Sequence, residues 1–430
     1  MSDPAKATPG ALEGIRVIEI ASERGVLAGK LFADMGADVV TVEPPRGSRM
    51  RSYAPFVDDE PDPEKSLYWW FYNTSKRGVT LDIDNPRGRE LFLQLVATAD
   101  VVLECEDPGR MAELKLDYPD LVKVKPDLIV VSLTPFGRET AKPDAQVTDL
   151  TVLAGGGPVW SCGYDDHSIP PVRGDGNQGY NTGSHYAVLS LLTALLYRGE
   201  SGEGQHIDVS MHAAANTTTE MSSYMWLVAQ DEVQRQTGRH AMPMMTMATQ
   251  SQCSDGRHVT TGIPPRWPHE FAKLHDWLDR LGLLDQLPEA VFLEQAAKKE
   301  FIDMSLIGQD DEVTAIMGAG REALVLISQK VSSYEFFIGA QECGLAVGVI
   351  YSPEEVMQDR HFIERGFPVE VEHPKLGRTI TYPGAPYKFG GSPWRISRPA
   401  PALGEHNQEL LAELGVSDDE QSRLRSDGVV

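Results

Sequence analysis

Short β-branched runs and amphipathic runs alternate along the first third of the chain. "GIRVIEIA" (Gly14–Ala21) reads as a buried strand, "SERG" as a turn, and "VLAGKLFADMGA" (Val26–Ala37) as a helix with Gly36 placed to end it. "DVVTVE" (Asp38–Glu43) is a second strand, stopped by "PPRGSR". Two strands joined by one helix imply a right-handed βαβ unit. "RGVTLDI" (Arg77–Ile83), "ADVVLEC" (Ala99–Cys105) and "DLIVVSLTPF" (Asp127–Phe136) continue the strand pattern, with the helix "PRGRELFLQLVATA" between the first two. Such alternation predicts a parallel, doubly wound α/β sheet.

Further on, His185–Tyr197 is apolar on all sides and predicts a buried helix, followed by the Gly-rich turn "RGESGEGQ" and the strand "HIDVSM". From about residue 225 to 330 the pattern changes to charged amphipathic helices, which predicts a separate, more helical domain. "GLAVGVIYSPEEVMQD" then reads as strand and helix. "GFPVEVEHPKLGRTITYPGAPYKF" reads as a hairpin turning at "HPKLG", and "RPAPALGEHNQELLAELG" ends in a helix.

Composition narrows the class. A chain of 430 residues exceeds one ordinary core, so more than one domain is expected. No run of about 18 apolar residues predicts a membrane span, and the opening "MSDPAKATPGALEG" has no apolar core of a signal peptide. Residues 1–12 are expected to be a flexible lead-in. The four cysteines (Cys105, Cys162, Cys253, Cys343) are far apart with no CxxC pair, which fits a reducing cytoplasm. The histidines form no HExxH, so no metal is expected. A net charge of −24 repels phosphate backbones and makes nucleic acid an unfavourable partner. A phosphate-bearing ligand needs local cations.

Four stretches could carry chemistry. "SCGYDDHSIPP" holds Asp165 and Asp166, although Asp, Ser, Gly and Pro are ordinary loop residues. "GGGP" offers Gly155, Gly156 and Gly157 for a close backbone approach. "NTSKRG" sets Lys76 and Arg77 before a strand, a candidate anion site. Trp69, Trp70, Met242, Met244, Met245 and Met247 could line an apolar pocket or simply fill a core. There is no GxGxxG, no Walker A loop and no GxSxG elbow.

Five ordered blocks carry a resemblance that covers residues 12 to 415. They are "LEGIRVIEIA…AGKLFADMGADVVTVEPPRG", "FYNTSKRGVTLDIDNPRGRELFLQLVATADVVLE", "LLTALLYRGESGEGQHIDVSM", "DRHFIERGFPVEVEHPKLG" and "RPAPALGEHNQELL". Together they resemble the class III CoA-transferase family (the CaiB/BaiF type). The resemblance implies a Rossmann-like large domain made from both chain ends (13–224 and 331–430), a smaller inserted α+β domain (225–330), and an interlocked homodimer. It implies a cytoplasmic enzyme that moves CoA between carboxylic acids, with acyl-CoA as substrate and no tightly bound cofactor.

The family's nucleophilic Asp opens the apolar helix. The matching "GD" is Gly174-Asp175, while an ungapped count back from the helix puts Gly179 there. Asp175 is therefore the candidate, with Asp166 and Asp165 as rivals. An ionised carboxylate attacks the thioester to give an anhydride, and the returning thiolate gives an enzyme-bound CoA thioester. Lys76, Arg77, Arg46, Arg49 and Arg24 are the expected cofactor-binding cations, and Gly155–Gly157 or Gly262 the expected oxyanion donors. Thr148 stands where the family's racemases place a proton-shuttling His, and threonine does not titrate near neutrality. The family's "AGP" turn is Arg24-Gly25-Val26 here, and other motif positions differ at Cys105-Glu106, at Glu113 and at "TGIPP". These departures leave two alternatives open: a non-catalytic CoA-binding subunit of a hetero-oligomer, or a racemase or isomerase.

Overall fold

A computed structural model describes residues 8–142, 145–261 and 264–430 of the chain. It separates into two compact units: the described residues up to Trp160 with Val172–Tyr224 and Arg360–Val430, and Ser161–Pro171 with Met225–Asp359.

The larger unit is built on six parallel strands: β1 (Arg16–Ile20), β2 (Asp38–Glu43), β3 (Arg77–Thr80), β4 (Val101–Glu104), β5 (Ile129–Thr134) and β6 (His206–Ser210). Their order across the sheet is β3-β2-β1-β4-β5-β6. The Val- and Ile-rich strands are buried on both faces, as a parallel sheet covered by helices requires. Helix α1 (Val26–Asp34) connects β1 to β2, and Gly36 just beyond it takes φ +101°, the left-handed geometry expected there. α2 (Pro86–Ala97) opens on an Asn85 cap with Pro at its first turn and buries Leu91, Phe92, Leu95 and Val96 against the sheet.

Two further helices frame the site. α3 (Asp149–Gly156) starts at a Thr148 cap, and α4 (Gln178–Ser201) is the long apolar helix. α4 is not buried all round as its composition suggested. Gly183, Ala187, Leu191 and Ala194 pack inward, while Leu189 and Leu196 are 61% and 75% exposed. α5 (Met211–Asn216) follows β6 and packs against α3 and α4.

The C-terminal segment returns to this unit. Asn407 accepts the Thr80 amide at 2.8 Å and donates to the Thr80 hydroxyl at 2.7 Å, and Leu410 and Leu411 join the core beside Val79 and Leu91.

The smaller unit pairs β7 (Gln250–Gln252), β8 (His258–Thr261) and β9 (Val347–Val349) antiparallel, packed with α6 (Pro268–Arg280), α7 (Asp311–Ser328) and α8 (Ser333–Cys343). The expected boundary at 330 falls inside it. Residues 331–359 stay with this unit because α8 buries Phe336 and Ala340 in its core and β9 completes its sheet. The loop Ser161–Pro171 also belongs to it. The predicted hairpin forms from β10 (Pro368–His373) and β11 (Arg378–Pro383) in the larger unit. Among the described residues no helix is long and apolar enough to cross a membrane.

Candidate active site

The sheet order reverses between β1 and β4, and parallel sheets bind ligands beyond the carboxyl ends of their strands at such a point. A cleft of about 400 Å³ lies there, lined among others by Ser22, Glu23, Arg24, Arg49, Asp82 and Arg110. Its floor is the loop after β1. Gly25 is required in that loop, since a Cβ would overlap the Cys105 sulfur. Arg24 Nη1 donates to the Cys105 carbonyl at 3.2 Å and to Asp107 Oδ1 at 2.7 Å. Glu23 Oε2 accepts the Tyr53 hydroxyl. Arg49 lies over the Tyr53 ring at 5.7 Å, Arg110 pairs with Asp84, and Arg46 is exposed in the neighbouring loop.

The opening of α4 is tied down by one carboxylate. Asp149 Oδ1 accepts the Tyr180 amide at 2.9 Å, and Asp149 Oδ2 faces Arg173 Nη1 at 3.3 Å. Burial raises the Asp149 carboxyl above the usual range, against the amides of Tyr180 and Gly179 and the charge of Arg173. Arg173 also donates to the carbonyls of Gly174 and Gly176, at 3.1 and 2.6 Å, and so clamps the turn carrying Asp175. The Tyr180 hydroxyl is buried near the Arg24 guanidinium. Burial first, then the charge of Glu23, pushes it up to about 12.

Several expected site residues are placed elsewhere. Lys76 is fully buried and donates to Glu19 Oε2 at 2.6 Å, the Val26 carbonyl at 3.1 Å and Asn73 Oδ1 at 3.1 Å. Arg77 is consumed by Asp38, Glu409 and Glu413, at 2.6–2.8 Å. Neither has a free donor face for a phosphate, so that expectation is corrected. Gly155, Gly156 and Gly157 form the C-terminal end of α3, where a helix presents carbonyls rather than amides. Gly155 and Gly156 are small because α5 lies against them: a Cβ on Gly156 would fall 2.8 Å from the Ala215 Cβ, and one on Gly155 would strike the His212 ring, while Gly157 caps α3 in the left-handed conformation at φ +109°. Gly262 lies outside the described residues.

Asp166 caps Ser168, taking its amide at 2.9 Å, and Asp165 takes the Thr237 amide at 3.2 Å and Arg239 at 3.3 Å. Both serve a loop of the smaller unit. Thr148 caps α3 in a reciprocal box with Thr151. Trp69 and Trp70 are core residues, and Met244 and Met245 are exposed. Asp175 is exposed, with no partner among the described residues, just before α4. Arg24 does line the cleft.

Sequence reasoning passed over Glu23, Tyr53, Arg110, Arg173 and Tyr180. Glu23 had a usable signal: a carboxylate beside an arginine immediately after the first strand of a doubly wound sheet. The others had none in the local pattern.

Comparison with known proteins agrees with this fold. The model of CoA-transferase family III matches residues 12–407. The chain is 31% identical over 415 residues to the succinyl-CoA:(R)-benzylsuccinate CoA-transferase subunit BbsE of Thauera aromatica, covering 96% of this chain and 97% of that one. It is 28% identical to a formyl-CoA:oxalate CoA-transferase of Streptomyces avermitilis, over 98% of this chain and 99% of the other. A CaiB/BaiF family protein from Brucella suis has the same fold, with a TM-score of 0.76 at 24% identity, covering 94% of this chain and all of its own. The chain therefore belongs to CoA-transferase family III and is a CoA-transferase.

Proposed function

We propose that the chain transfers CoA from an acyl-CoA to a short carboxylic acid through an enzyme-bound anhydride and CoA thioester. The observation that carries this reading is the cleft at the carboxyl edge of the sheet, where arginines and a half-buried carboxylate stand at the strand-order reversal. Arg46 and Arg49, which have no carboxylate partner among the described residues, are the cations available for CoA phosphates, with Arg24 and Arg110 beside them. The resemblance names Asp175 as the carboxylate that carries CoA. The relatives named above act on succinyl-CoA, benzylsuccinate, formyl-CoA and oxalate, which directs the substrate search to short acids with one or two carboxylates. The bare face of α4 supports an interlocked dimer, since an all-round apolar helix is stable when covered. The test is incubation of the purified chain with succinyl-CoA and a panel of such acids, following new acyl-CoAs by chromatography. Absence of any new thioester sinks the reading.

A second reading is a CoA-binding subunit that supports an active partner. Gly179 favours it. It stands where an ungapped count places the nucleophile, and a Cβ there would lie 3.2 Å from Asp149 Oδ1, so the site is built for glycine. Transfer that appears only on adding a second family member would select this reading.

A further inference from the structure

We propose that the larger unit carries a second ligand site, apart from the cleft, that takes an unbranched fatty acid. A cavity of about 670 Å³ lies beside α1, walled by Leu27, Leu31, Met35, Phe71, Leu192 and Trp394 among others. Small-molecule sites have volumes of roughly 300–1,000 Å³ and mainly apolar walls with a few polar groups. The walls come from α1, α4 and the segment 384–394 after β11, so packed elements of one unit enclose the hollow. Among the described residues it shares no wall residue with the cleft. Its buried charges are already matched. Lys30 Nζ donates to Asp34 Oδ2 at 2.8 Å and to the Thr74 hydroxyl at 2.6 Å, and Asp34 Oδ1 accepts the Ser75 hydroxyl at 2.6 Å. The interior therefore suits hydrocarbon.

The adjoining opening is cationic. Tyr387, Phe389 and Trp394 also wall a second hollow, of about 510 Å³, bordered by Arg365, Lys388 and Arg395. None of these three cations has a carboxylate partner among the described residues. Arg365 donates to the Pro386 carbonyl at 2.9 Å and Arg395 to the Thr8 carbonyl at 2.8 Å. One carboxylate, Glu370, lines the same hollow and accepts the Thr381 hydroxyl at 2.7 Å. Three unpaired cations at one opening run against a chain of net charge −24, and they favour an anionic head there.

A fatty acid matches both parts. Its alkyl chain lies against Leu31 and Phe71, and its carboxylate among Arg365, Lys388 and Arg395. A dicarboxylate such as succinate would carry its second charge into apolar walls, with nothing there to offset the desolvation. A sugar would leave its hydroxyls without partners in the same walls.

The test is calorimetry of the unaltered chain with octanoate, decanoate and dodecanoate, each with and without saturating CoA. The expected result is one acid per chain, binding about tenfold tighter with each two added methylenes and unchanged by CoA. Lys388 and Arg395 are exposed, so changing them spares the core. Lys388→Gln with Arg395→Gln should weaken dodecanoate about tenfold and leave dodecanol binding as it was. Displacement of the acid by CoA would place it in the cleft and overturn the proposal. Equal dodecanoate binding by the double variant would overturn it too. Absence of binding by a chain that sediments as a dimer would assign the cavity to a second copy, and absence of binding by a monomer would leave it without a ligand; either result overturns the proposal.

Discussion

The Asp149 carboxylate holds the opening of α4, accepting the Tyr180 amide at 2.9 Å while facing Arg173 at 3.3 Å. A buried amide that loses its acceptor retains its full desolvation cost. Asp149→Ala should therefore cost about 2 kcal/mol, read by urea denaturation. It should also loosen the Asp175 turn, because Arg173 loses its anchor. Asp149→Asn keeps an acceptor for Tyr180 and should cost less.

Lys76 is internal framework. Lys76→Met leaves Glu19 charged and alone in the core and should cost about 3–5 kcal/mol. Adding Glu19→Gln should recover much of that loss. The folded double variant should bind CoA as the parent does, whereas Arg49→Ala should weaken CoA binding about tenfold, measured by calorimetry.

Gly155 is a packing glycine. The His212 ring it faces is held by the Pro135 carbonyl at 2.8 Å and stacked on Phe136 at 4.3 Å, so it cannot swing aside. Gly155→Ala should lower stability by about 1–3 kcal/mol. Adding His212→Ala should restore most of it by making room, as thermal melts would show.

The acid limb of stability should report Asp38. Burial works against its charge, but the hydrogen bonds and charges of Arg77 and Arg16 outweigh burial and hold its carboxyl below the usual range. A carboxyl lowered in the folded state stabilises above its unfolded pKa, about 3.9, and that contribution fades as pH falls through the lower folded value. Denaturation midpoints measured from pH 5 down to pH 2 should drop less steeply for Asp38→Asn than for the parent.

The strands were legible because β-branched runs of the right length carry their own signal, and the hairpin because "HPKLG" is a turn by composition. Lys76 and Arg77 misled for the opposite reason. Their partners Glu19 and Asp38 stand 57 and 39 residues away, and only the fold shows that they meet. Gly155–Gly157 looked like a loop able to offer amides and are instead a helix end under α5. The domain boundary at 330 was hidden because the helices on both sides of it are similarly amphipathic. Glu23 went unread although it stands beside Arg24 immediately after the first strand, because a four-residue turn gives that pair no weight until the strand order is known. Its meaning comes from where the sheet reverses.

The most direct test of the account is the fate of acceptor oxygen. The purified chain would turn over succinyl-CoA with an acceptor acid whose carboxylate carries oxygen-18, and the released succinate would be weighed by mass spectrometry. If a protein carboxylate carries CoA, acceptor oxygen passes to that carboxylate and, on the next turnover, into succinate. The account predicts labelled succinate accumulating in step with the new acyl-CoA. New acyl-CoA formed with unlabelled succinate would contradict it.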